Sequence, residues 1–184
     1  MAVLHHDFET RAALDLSEVG LDNYASNPTT QALMLSWAVD DAPVQLWQSH
    51  LHGPQIPEEV RELLLNPTVI KSAWNTPFER SIWRNVFKIE SPATEWEDPM
   101  IQARYLSLPG KLELAGPIGG LPMDKTKIKE GRALVSLFCV PIQKGKNKGG
   151  FNTWETHPDE WQQFCRYCLQ DTGAERAFYR RYML

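Results

Sequence analysis

No stretch of the 184 residues stays apolar long enough to cross a bilayer, which takes about 20 residues, so no membrane association is expected. The N-terminus lacks a cationic region followed by an apolar one, and it does not read as a signal peptide. Cysteine is scarce. Cys139, Cys165 and Cys168 are an odd set, which suits a reduced intracellular compartment better than a disulfide framework. Cys165 and Cys168 form a Cys-x-x-Cys in a helical stretch with no second pair, and this reads as core packing rather than zinc or redox chemistry. A strong charge imbalance is missing too: at a net charge of -4, any nucleic-acid binding has to come from local patches. No repeat and no linker interrupts the chain, so residues 1–184 are expected to form one domain.

What is present is core-forming material. The chain is 42% hydrophobic and carries seven tryptophans and seven phenylalanines, which argues against disorder. Residues 2–6 read as a short buried strand, residues 11–30 as a polar loop, and residues 31–39 as a second buried strand. A turn at 40–43 leads to a hairpin partner at 44–47, giving an antiparallel meander. Pro57-Glu58-Glu59 opens a helix that runs to Leu65, with proline in the first turn and acids at its positive end. A strand over 69–74 follows. Helices are predicted over 76–86, 98–108 and 128–138, with a helical turn at 112–115 and a final long helix from His157 to Leu184. Strands first and helices later around one sheet make a mixed α/β domain.

Three places concentrate chemistry. Asp7 and Glu9 end the first strand two residues apart, on one face and about 6.5–7 Å from each other along the chain. Two such carboxylates repel and are costly to desolvate unless a cation sits between them, and a hard divalent ion with oxygen ligands is the usual answer. Asn75-Thr76-Pro77-Phe78-Glu79 follows the strand over 69–74. Thr76-x-x-Glu79 fits a capping box, which alone could account for both residues, and Glu79 also fits a ligand at a strand end. A Glu ligates a metal only if its side chain turns away from the cap, so the two readings partly exclude each other. Tyr167 and Asp171 stand four apart on the last helix, so a phenol and a carboxylate point the same way.

In that order, Asp7-x-Glu9, Asn75-x-x-Phe78-Glu79 and Tyr167-x-x-x-Asp171 resemble the three motifs of the DEDD exonuclease superfamily, in its tyrosine subclass. Arg166 stands five before Asp171, where the histidine subclass has His. Segments around these motifs, such as SAWNTPFERSIWRNV and DEWQQFCRYCLQDTGAER, resemble the exonuclease domain of phage-type family A DNA polymerases, and the resemblance extends over nearly the whole chain. It implies a ribonuclease H-like fold, removal of 3′-terminal nucleotides of single-stranded or frayed DNA as 5′-monophosphates, and two divalent cations, Mg2+ or Mn2+. It implies metal ligation by Asp7, Glu9, Glu79 and Asp171, with Glu79 where the family usually has aspartate. Tyr167 matches the residue that positions the attacking water, and Thr10 and Asn75 match contacts to the terminal nucleotide. Asp98 resembles an acid often found in the third helix, with an indirect role at most. A polymerase domain in cis or in trans is the implied partner, and the host cytoplasm the implied location if the gene is a phage's. The chemistry fits: in-line displacement at a phosphodiester needs an activated nucleophile and relief of charge on the leaving oxygen, which two cations about 3.5–4 Å apart supply.

For substrate grip, Lys144, Lys146 and Lys148 lie in a glycine-rich loop, and Lys125, Lys127, Lys129 and Arg132 lie nearby in sequence. Lysines on a loop track phosphates, and they also make an ordinary solvated loop. Trp154 and Trp161 offer faces for a base, with core packing the plainer reading. Two rivals to DNA proofreading remain at this level: trimming of RNA through the same site, and DNA binding without catalysis.

Overall fold

The computed structural model describes residues 2–121 and 131–183. Among the described residues the core is a five-stranded mixed sheet in the order β3-β2-β1-β4-β5. The strands are β1 (Ala2–Arg11), β2 (Gln31–Val39), β3 (Gln45–Gln48), β4 (Val69–Ser72) and β5 (Trp96–Glu97). β1 pairs antiparallel with β2, and β2 with β3, which is the expected meander. β4 and β5 add in parallel to the other edge of β1, as crossover connections through helices require. The architecture is α/β with helices flanking a mixed sheet, consistent with the expected ribonuclease H-like fold.

β1 is the central strand, and its period of two sorts its side chains between two cores. Leu4, His6 and Phe8 face an apolar layer that includes Trp47, Val60, Leu64, Ile82 and Trp83. These come from β3, α4 (Glu58–Leu65) and α5 (Thr76–Asn85). The alternate residues His5, Asp7 and Glu9 face the long helix α9 (Pro158–Tyr182). That helix buries Trp161, Phe164, Cys168 and Phe178 along its length. A register shift between Glu9 and Thr10 marks a bulge in the β1–β2 ladder. Such a bulge bends the strand and re-aims its side chains at the point where the acids stand.

Several boundaries differ from the sequence reading. Residues 11–30 are not a plain loop: they hold the short helices α1 (Leu16–Val19) and α2 (Leu21–Ser26). Asp15 caps α1 by accepting from the Ser17 amide at 2.8 Å. β1 runs on past the two acids to Arg11, and β4 stops at Ser72 rather than 74. Another short helix, α3 (Ser49–His52), follows β3. The helix α6 (Pro99–Tyr105) ends three residues early, and α7 (Leu112–Ile118) is longer than one turn. The described part of the next helix is α8 (Gly131–Cys139); the start of the predicted 128–138 segment lies outside the described residues, as do Lys125, Lys127 and Lys129. Among the described residues no helix is long and apolar enough to cross a membrane.

Candidate active site

Three remote segments bring acids to one place. β1 supplies Asp7 and Glu9, the first turn of α5 supplies Glu79, and α9 supplies Asp171. Glu9 and Glu79 are buried, while Asp7 and Asp171 are half-buried and open onto a cleft. Burial shifts all four acidities, and neighbouring charges add to it. Burial lifts Asp7 well above the usual carboxylate range, and the charges of Asp171 and Glu175 push it further. Glu9 is raised by burial and then by Asp7, Asp171 and Glu79; Glu79 is raised by burial, then by Asp7 and, more weakly, by Asp98 and Glu175. Burial pushes Asp171 up to about 7, although a hydrogen bond from Tyr167 favours its charged form.

Two oxygens in this cluster, Oε2 of Glu79 and Oδ1 of Asp171, are buried without a hydrogen-bond partner among the described residues. A buried acceptor with no donor costs about 1–3 kcal/mol, and more when charged. No Lys or Arg side chain forms an ion pair with any of the four acids among the described residues. The donor set therefore fits hard divalent cations: four carboxylates, short of positive charge, with oxygens to spare.

Tyr167 lies one helical turn before Asp171, hydrogen-bonded to it, and its ring stacks on Phe164 at 6.3 Å between centroids. Burial first, and then the Asp171 charge, hold the phenol protonated far above its ordinary range. Gly131, the first described residue of α8, lies close against that ring. A methyl group there would run into the Tyr167 carbon atoms, so this glycine sets how closely α8 covers the phenol. Nothing local in the sequence marks it, because the contact joins residues 36 apart.

The capping-box reading of Thr76 and Glu79 is corrected. The N-cap of α5 is Asn75, in the left-handed region at φ 75°, and it makes no side-chain cap bond. The orphan amides are taken instead by Asp98: Asn75 N donates to its Oδ1 at 3.1 Å, and Thr76 N to its Oδ2 at 2.9 Å. Asp98 also caps its own helix, accepting from the Met100 amide at 2.9 Å. With its helix capped by another residue, Glu79 is free to point at Asp7. Asp98 acts on the site through this mount and, more weakly, through its charge on Glu79.

Glu175, one turn beyond Asp171, was not picked out from the sequence. It is buried, with Oε2 at 2.8 Å from His5 Nδ1 and Oε1 accepting from the Ser72 hydroxyl. The signal available was the Asp171–Glu175 spacing itself, since like charges four apart on a helix repel unless each has a separate partner.

Two clefts flank the acids. One of about 550 Å³ is lined by Glu9, Thr10, Tyr24, Phe78, Cys139 and Lys148, among others. The second, about 370 Å³, is lined by Asp7, Asn75, Arg132, Tyr167, Asp171 and Glu175, among others. Thr10 thus lines one cleft and Asn75 the other. The Thr10 hydroxyl is hydrogen-bonded to that of Tyr24 at 2.9 Å. Of the loop lysines, Lys148 reaches the larger cleft, whereas Lys144 and Lys146 are exposed and do not line it. The loop is closed at its base by Ile142, whose amide and carbonyl bond to Gly150 and Gly149. Arg132 is paired with Glu113 at the edge of the smaller cleft. Trp161 is buried, donating to Gln48 at 2.8 Å, and Trp154 stacks on His50 at 4.0 Å. Both are packing residues here.

Comparison with known proteins gives an informative match. The chain is 34% identical over 183 residues to the DNA polymerase of Bacillus phage SP02. That alignment covers 98% of this chain and 28% of the polymerase, so the chain spans little more than a quarter of its relative. No protein-family model matches it. All of the residues described above fall within a chain that resembles part of a phage DNA polymerase almost from end to end.

Proposed function

We propose that this chain is a 3′→5′ exonuclease domain that removes terminal nucleotides from single-stranded or frayed DNA and proofreads for a DNA polymerase, in cis or in trans. Residues 1–184 act as one unit in this reading. The observation that carries it is the convergence of Asp7, Glu9, Glu79 and Asp171, with two buried oxygens left unpaired. The likeness to a phage polymerase supplies the context.

Asp7, Glu9, Glu79 and Asp171 are the residues that would hold two divalent cations, Mg2+ or Mn2+. Such ions, when bound, lower the pKa of water and offset charge on a leaving 3′-oxygen. The protein's own groups do the rest. Tyr167 carries a proton under all ordinary conditions, so its hydroxyl orients a water by hydrogen bonding without competing as an anion for the cations. Thr10 and Asn75, one in each cleft, contact the terminal nucleotide, and Lys148 meets a phosphate in the larger cleft with Lys144 and Lys146 further out on the loop. Glu79 is one methylene longer than the aspartate usual in the resembled motif, and it reaches the cluster from a helix whose start is fixed by Asp98.

The deciding assay uses a 5′-labelled primer with a mismatched 3′ end, with and without Mg2+, beside an RNA of the same sequence. A ladder shortening from the 3′ end of the DNA, dependent on the cation and lost in Asp7→Ala, is expected. Preferential cutting of the RNA would move the assignment to an exoribonuclease. Cation binding without cleavage of either would leave a DNA-binding domain.

A further inference from the structure

We propose that Cys168 makes part of the carboxylate cluster a binding site for thiophilic divalent cations, zinc above all, held by Asp7, Glu9 and the Cys168 sulfur. This rests on the reading of the carboxylates as cation ligands, and it does not depend on the cleavage reaction. The Cys168 Sγ and carboxylate oxygens of Asp7 and Glu9 all lie within 4.8 Å of one another. The thiol is fully buried where α9 crosses β1 and β2, held by a weak contact to the Ser36 hydroxyl at 3.4 Å. The unpartnered Glu79 and Asp171 oxygens in the same cluster are an independent sign that positive charge belongs there.

Ligand softness separates the two classes of ion. Mg2+ takes oxygen donors, demands near-octahedral geometry and keeps much of its water, so a thiol beside its ligands adds nothing to its affinity. Zn2+ and Cd2+ take sulfur readily, and three protein ligands plus a water is a common zinc arrangement. With Zn–S near 2.3 Å and Zn–O about 2.0–2.2 Å, ligand atoms around one tetrahedral ion stand roughly 3.5 Å apart. The trio therefore needs to close by about 1 Å to hold one ion. On binding, the S–H bond breaks, the sulfur lone pair forms the bond to the metal, and the proton leaves to solvent.

The Cys-x-x-Cys pair does not chelate as a pair. Cys165 turns to Gln48 Oε1 at 3.3 Å, while Cys168 faces Ser36 and the acids. The soft-metal site is made by one cysteine of the motif and two residues some 160 positions earlier.

The test is titration of the full chain carrying Cys139→Ser and Cys165→Ser with Cd2+, read by the ultraviolet sulfur-to-cadmium charge-transfer band. One band saturating at one ion per chain is expected, displaced by Zn2+ and largely retained in a hundredfold excess of Mg2+. Adding Cys168→Ser or Cys168→Ala should abolish it, with near-ultraviolet circular dichroism showing the fold intact. Asp7→Asn should weaken Cd2+ binding at least tenfold. No band in the double variant, a band that survives loss of Cys168, or indifference to Asp7→Asn overturns the proposal. A chain that shows the band but cuts no DNA sinks the nuclease reading and keeps this one; a chain that cuts DNA and shows no band does the reverse.

Discussion

One turn of α9 separates two carboxylates with opposite circumstances, Asp171 half-buried at a cleft and Glu175 buried. Glu175 is fully engaged, with His5 on one oxygen and Ser72 on the other. Asp171 has one oxygen buried without a partner, and its charge acts on Asp7 and Glu9. Both residues ride the same helix against the same strand, so helix propensity does not explain the contrast. A buried acid supplied with donors is part of the scaffold. A buried carboxylate oxygen left without one fits the proposed role of cation ligand.

The strongest way to test that division is Asp7→Asn. It removes one of four repelling charges while keeping the side chain's shape. Cleavage should fall about a thousandfold, matching several kcal/mol of lost charge stabilisation. The melting temperature without divalent ions should not fall. A large loss of stability would place Asp7 with Glu175 and erase the contrast. Glu175→Ala should behave in the opposite way, costing about 3 kcal/mol in chemical denaturation at pH 7 because a buried pair loses one member. An unchanged midpoint would show that His5 finds another partner.

The acid cluster should also govern stability against pH. A carboxyl whose pKa is higher folded than unfolded binds more protons in the native state, so its contribution is lost as pH rises through the folded value. For Asp171 the window runs from about 4 to about 7, and the raised Asp7, Glu9 and Glu79 act in the same sense. Thermal melts without divalent ions should therefore fall in temperature across that window, and saturating Mg2+ should flatten the profile by binding the ionised form. A profile that rises with pH would mean the acids are paired. The smallest effect belongs outside the cluster. Replacing Lys144, Lys146 and Lys148 by Ala should make single-strand binding less sensitive to salt, by about 0.7 in log–log slope for each phosphate no longer neutralised. Lys148, which lines the larger cleft, should account for most of it.

Legibility in the sequence followed sequence distance. The Asp7–Glu9 pair and the Tyr167–Asp171 pair were visible because strand and helix periods place such neighbours together without knowledge of the fold. The meander was visible because its strands are sequential and its turn is polar. The helices at Leu16–Val19 and Leu21–Ser26 were not, being too short to show a period in a polar segment. The capping of α5 was ambiguous for a related reason. Thr76 and Glu79 satisfy a local capping pattern, but the acceptors come from Asp98, 22 residues on, across a strand and a 3-10 turn. Gly131 against Tyr167 and Glu175 against His5 are likewise partners whose meeting only the tertiary fold arranges.

The double service of Asp98 has a kinetic corollary. A single carboxylate fastens the opening amides of α5 and of α6, so those two helix starts share one latch. Fraying at one end withdraws the acceptor from the other, and amide hydrogen exchange at Thr76 and Met100 is thereby tied to one opening event. The acid at position 79, carried on the first of those helices, keeps its place only as long as that latch stays shut.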